Sequence, residues 1–123
     1  MTLRTLISSA MLALAVTTAR AAEPDGYSGN FMLPYCKDYL SGSDTLDVGF
    51  CAGVVEGIGY MAAILQMSST PGAGPPLCVP KGVTRGQTVR AVVNYIEARP
   101  KRMDEPFWQL TFEALLDAWP CKP

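Results

Sequence analysis

Apolar positions along this chain recur with helical spacing, apart from one run too uniformly apolar for a period to show. That run is residues 48–67, VGFCAGVVEGIGYMAAILQM, with a single charge at Glu56 and glycines at 49, 53 and 57. It lacks period-two alternation and is longer than an ordinary strand, so it predicts a helix. Upstream, FMLPYCKDYL (31–40) predicts a first helix, with Pro34 in its opening turn and Tyr35, Cys36, Tyr39 and Leu40 on one face. SGSD (41–44) is the turn between the two, with Ser43 or Asp44 as the cap of the second helix. Downstream, Thr84 and Gln87 make a T-x-x-Q capping box, followed by Val89, Val92, Val93 and Ile96 at i, i+3, i+4 and i+7. Arg99-Pro100 ends this third helix, because proline drives its predecessor out of the helical region. Asp104 as cap and Pro106 in the first turn then open a fourth helix, whose expected core stripe is Trp108, Phe112, Leu115, Leu116 and Trp119. Pro120 closes it.

Between these helices the polar positions mark connections. Residues 22–30, AEPDGYSGN, read as a loose arm, and SSTPGAGPPL (68–77) as a loop stiffened by proline. The expected fold class is all-α: a small domain of four helices, or five with a short turn, in an orthogonal or bundle-like arrangement.

The first residues follow a different pattern. Arg4 supplies a basic start, Leu6 to Val16 an apolar stretch, and Ala19-Arg20-Ala21 an A-x-A site, the layout of a cleavable secretory signal peptide. The expected cut lies between Ala21 and Ala22, which assigns 1–21 to the signal peptide and 22–123 to one domain. Eight basic and eleven acidic residues follow the cut. That balance supplies no basic patch for nucleic acid.

All four cysteines follow the expected cut, and export points to two disulfides. Histidine is absent and no C-x-x-C pair occurs, so the cysteines are not read as a metal site. Antiparallel helices joined by a short turn bring together residues equidistant from that turn. Cys36 and Cys51 are symmetric about the 41–44 turn, and Cys78 and Cys121 about Arg99-Pro100. This favours 36–51 and 78–121 over the two other connectivities. Closing a loop of 15 residues is worth about 3 kcal/mol in the chain-entropy picture.

The pairing bears on the apolar run, whose length is also that of a membrane span. Cys51 ties its start to a short polar helix, and Glu56 inside a bilayer costs roughly 2.5–3.5 kcal/mol if it behaves as Asp does. A core helix is therefore expected. Its glycines cost about 1 kcal/mol each against alanine, which implies a compensating close-packing face at Gly49, Gly53 and Gly57, within the subunit or across a dimer. Glu56 is expected to reach solvent between small neighbours; the alternative partner is a Lys or Arg of another helix or subunit.

No catalytic constellation emerges. Without histidine, Ser-His-Asp and Cys-His chemistry is ruled out within one chain. The carboxylates are scattered, so a hydrolase with paired carboxylates is a distant third reading, and no cofactor motif is present. Binding is the expected mode of action.

GFCAGVVEG, CVPKGVTRGQ, VVNYIEARP and the terminal ALLDAWPC together resemble the Rap/Tai family of periplasmic immunity proteins, over roughly residues 30–121. The resemblance implies a helical, disulfide-bonded, usually homodimeric protein. It would guard against a peptidoglycan amidase delivered by type VI secretion, occluding the cleft of that cysteine–histidine enzyme. The family pattern often has an acidic residue where this chain has Gly59-Tyr60. The resemblance also implies a protruding loop against the amidase. Two segments qualify: Lys101, Arg102, Asp104 and Glu105 before the last helix, and Ser68, Ser69 and Thr70 after the second. The runner-up function is a periplasmic stress chaperone or envelope accessory protein of similar build.

Overall fold

The computed structural model describes residues 27–68, 72 and 74–122. The expected signal peptide and cut, and residues 22–26, lie outside the described residues, as do Ser69 and Thr70. Four α-helices run in order, α1 (Gly29–Leu40), α2 (Leu46–Gln66), α3 (Arg85–Glu97) and α4 (Phe107–Ala118), with one turn of 3-10 helix at Pro100–Arg102. Among the described residues there are no strands, only two isolated bridges. The class is all-α, as the apolar spacing implies.

Helix α1 starts earlier than expected, inside the segment read as a loose arm. Ser28 caps it by accepting from the Phe31 N–H. The free N–H groups of Gly29 and Asn30 donate to the carbonyls of Glu105 and Met103. A helix start that looks unsupported locally is thus completed by a distant connection. Pro34 consequently falls inside the helix rather than in its first turn. It lacks the N–H that would bond one turn back, and the rest of α1 packs well enough to tolerate that. Thr45, not Ser43 or Asp44, caps α2, accepting from the Val48 N–H. The capping box of α3 is present in both directions, Gln87 N–H to Thr84 Oγ1 at 3.3 Å and Thr84 N–H to Gln87 Oε1 at 2.7 Å.

The core lies where the four helices meet. Helix α1 packs on α2 and α3, and α4 on α3 and α2, while α1 and α4 meet least. Val89, Val92, Val93 and Ile96 are all buried, as their spacing predicts. They meet Met32, Leu33, Val55, Phe107, Leu110 and Leu115. In α4 the buried stripe is Phe107, Leu110, Thr111, Ala114 and Leu115, rotated from the expected one. Trp108 is 60% exposed, and only Leu115 of the expected stripe is fully buried. The rotation follows from where α4 begins. Asp104 does not cap it; Pro106 occupies the cap position, bridged to Ser28, and Phe107 turns inward as the first helical residue.

Two disulfides cross-link the fold, Cys36–Cys51 within this cluster and Cys78–Cys121 outside it. The first lies fully buried between α1 and α2. The second ties Cys78, directly after the 68–77 loop, to Cys121 in the tail beyond α4. There Cys78 N–H donates to Trp119 O at 2.9 Å and Cys121 N–H to Pro76 O at 2.8 Å. The side chain of Gln66 reaches back from the end of α2 to the carbonyls of Pro75 and Leu77, and Leu77 is buried.

Two glycines have opposite surroundings, which yields a test. A Cβ on Gly29 would stand 2.5 Å from Leu110 Cδ1 and 3.3 Å from Met103 O, whereas one on Gly59 meets nothing within 4 Å. Gly29→Ala should therefore lower unfolding stability by roughly 1–3 kcal/mol through overpacking. Gly59→Ala should raise it by about 1 kcal/mol through helix propensity. Urea unfolding of the two variants checks both signs.

Candidate functional site

Helix α2 is apolar all round, yet it buries only one side. Val48, Cys51, Ala52, Val55 and Ala62 face the core. With 3.6 residues per turn, Leu46, Phe50, Gly53, Gly57, Tyr60, Met61 and Ile64 fall within about 60° of the opposite line, and all seven are exposed. This outer stripe runs about 27 Å along the helix. Leu46 is 89% exposed. By length and composition α2 could cross a membrane, and only 28% of its most apolar window is buried. The expected core helix is thus a helix with one core face and one free face.

The glycines belong to the free face. A Cβ added at Gly49, Gly53 or Gly57 would meet nothing within 4 Å, so none of them serves close packing inside the subunit. Their effect is to hollow the outer stripe. Gly49 and Gly53 help line an open groove of about 820 Å³ between α1 and α2, with Tyr27, Phe31, Tyr35, Leu46 and Phe50 around it. Its aromatics stand against one another, Tyr27 and Phe50 at 5.8 Å between ring centroids and Phe31 and Tyr35 at 5.4 Å. Periodicity alone does not reveal this groove, because a run apolar on both sides gives no sign of which side is covered.

Glu56 meets the alternative expected of it. Its Oε1 lies 2.6 Å from Nε of Arg85 on α3, and that bond holds the Arg85 guanidinium more firmly protonated than usual. The charge in the middle of the apolar run therefore links two helices.

The connection from α3 to α4 carries the other candidate residues, and the structure divides them. Lys101 and Asp104 are exposed. Arg102 and Glu105 instead turn to each other in a forked pair, Nε–Oε1 2.7 Å and Nη2–Oε2 2.6 Å. Arg102 Nη1 also reaches Glu113 Oε2 of α4 at 2.7 Å and Tyr95 Oη of α3 at 3.2 Å. Tyr95 donates its hydroxyl to Glu113 at 2.8 Å, and Gln109 donates to the other Glu113 oxygen at 3.1 Å. Arg99 lies over the Tyr95 ring, 3.6 Å from its centroid. Tyr95, Gln109 and Glu113 were no part of the sequence expectation, since nothing local marks them as partners of residue 102. In the second candidate loop, Ser68 is exposed and follows the end of α2.

The sequence model for Rap1a immunity proteins matches residues 28–121, from the α1 cap to the last cysteine. The chain belongs to the Rap1a immunity protein family. No curated protein and no solved structure matches it. Membership in the Rap1a family identifies a protein whose business is to bind a secreted effector. Two disulfides agree with an extracellular or periplasmic setting.

The charge network sets a pH dependence. The Arg102 guanidinium, helped by Gln109 and Tyr95, pulls the Glu113 carboxyl down to about 2 against the opposing effect of burial. Glu105 is lowered as well, chiefly by its bond to Arg102. A carboxylate with a depressed folded-state pKa stabilises the fold above its unfolded value, 4.5 here, and loses that contribution as pH falls through the folded value. Stability should therefore decline between pH 4.5 and 2, and decline less steeply in Glu113→Gln. Urea midpoints measured across that range for both proteins check this.

Proposed function

We propose that this protein protects bacteria from a type VI secreted peptidoglycan amidase, binding it in the periplasm and occluding the cysteine–histidine cleft. The observation that carries this reading is the Rap1a match over nearly all the described residues. Residues 1–21 direct export and are removed between Ala21 and Ala22. The protein acts by steric exclusion and performs no chemistry of its own.

The α3–α4 connection is the segment proposed to meet the amidase. It is short, it presents Lys101 and Asp104 to solvent, and Arg102 and Glu105 brace it from within. Trp108, exposed in the first turn of α4, adds an aromatic of the type that anchors protein interfaces. The loop that contains Ser68, Ser69 and Thr70 is the second proposed contact. An adjacent reading frame should encode a cysteine–histidine cell-wall amidase, and cells making that amidase together with this protein in the periplasm should survive an otherwise lytic dose. Lys101→Glu combined with Asp104→Lys should weaken amidase binding at least tenfold by calorimetry; unchanged affinity would remove the connection from the interface.

The outer stripe of α2 is proposed to receive a second copy. Gly53 and Gly57 hollow its middle, Leu46, Phe50 and Ile64 flank the hollow, and such a helix suits close approach of an identical one. Sedimentation of the native protein should give the mass of a dimer, and Gly53→Leu or Gly57→Leu should shift it toward monomer. The same exposed stripe favours a second reading, a periplasmic chaperone that binds unfolded clients. A chaperone would suppress aggregation of many unrelated proteins, whereas an immunity protein would bind one amidase tightly at neutral pH.

A further inference from the structure

The turn that joins α3 to α4 contains an arginine whose three guanidinium nitrogens all bond within the subunit. Arg102 spends Nε and Nη2 on the two oxygens of Glu105, within the connection. It spends Nη1 on Glu113 of α4 and on the hydroxyl of Tyr95 of α3. Glu113 is in turn held by Tyr95 at 2.8 Å and Gln109 at 3.1 Å. One guanidinium thereby ties a single 3-10 turn to the helices on both sides of it. The backbone of this segment is engaged too, since the carbonyls of Met103 and Glu105 receive the first N–H groups of α1.

We propose that Arg102 and Glu113 are positioning residues that hold the α3–α4 connection in its binding shape before the effector arrives. The inference rests on the reading of that connection as the contact surface. An exposed turn between two helices would otherwise lose conformational freedom on binding, and each immobilised polar side chain opposes association. The bracing groups are about a third exposed, so solvent screening keeps the stability that Glu113 contributes above pH 4.5 modest. Their effect is local order. The fork matters as much as the charge, because only a planar guanidinium can serve Glu105, Glu113 and Tyr95 together.

The test uses the full mature chain in three variants: Glu113→Gln, Arg102→Lys, and the contact variant Lys101→Glu/Asp104→Lys. The probe is the amidase that the protein neutralises in the survival experiment, with its nucleophilic cysteine replaced by alanine. Glu113→Gln and Arg102→Lys should leave the neutral-pH melting temperature within a few degrees. They should speed amide exchange in residues 99–106 at least tenfold without touching α2 or the middle of α3. They should also weaken amidase binding about tenfold, largely through slower association. Unchanged exchange in Glu113→Gln would overturn the proposal. So would faster exchange with affinity still within twofold of native, because local order would then be irrelevant to binding. Arg102→Lys keeps the charge, so a native-like result there would also overturn the role assigned to the fork. The contact variant reports separately: normal binding by it, beside accelerated exchange in the other two, refutes the contact surface and leaves the brace standing.

Discussion

A disulfide buried at the meeting point of the helices, Cys36–Cys51, anchors α2 by its inner face while its outer apolar stripe stays exposed. A helix apolar on all sides would ordinarily be driven to bury all of them. Here the core is small, and it accepts one stripe of α2, from Val48 to Ala62. The covalent link fixes which stripe by tying Cys51 to Cys36 on the inner face of α1. The opposite stripe, hollowed at Gly53 and Gly57, remains free for another molecule. The two sides of one helix thus differ, one packed in the core and one exposed, and the staple adds covalent stability where apolar burial is forgone.

The second half of the molecule solves a different problem, the ordering of ends. Ser28 caps the start of α1, and the N–H groups of Gly29 and Asn30 are completed by the α3–α4 connection. That connection is in turn held by Arg102 against Glu105, Glu113 and Tyr95. At the far side, Cys78–Cys121 and the bonds beside it close the long loop onto the residues after α4. Each end or turn that local sequence leaves open is satisfied by a segment far along the chain.

Much of this was legible where the determinants are local. The Thr84–Gln87 capping box and the valine stripe of α3 involve neighbours within one or two turns, and each read in a single way. The helical class and the cysteine geometry followed from apolar spacing and turn positions. Helix α4 was harder, because it offers two overlapping apolar stripes. Trp108 and Phe112 read as well as Phe107 and Leu110, and the choice falls to the Ser28–Pro106 bridge that sets where the helix begins. Among the candidate contact residues, Lys101 and Asp104 stand exposed, whereas Arg102 and Glu105 turn inward to partners that spacing does not disclose.

The division has a physical reason. Backbone propensity, capping and helical periodicity act over a few residues, so the string of amino acids specified four helices, their approximate limits and two staples. Burial and long-range hydrogen bonding depend on which surfaces meet. Only the assembled fold decided that Gly53 and Gly57 face outward, that Glu56 meets Arg85 across two helices, and that Trp108 stays in solvent while Phe107 is buried. An apolar run can be recognised from its composition; which of its faces is left uncovered is settled by the neighbours it packs against.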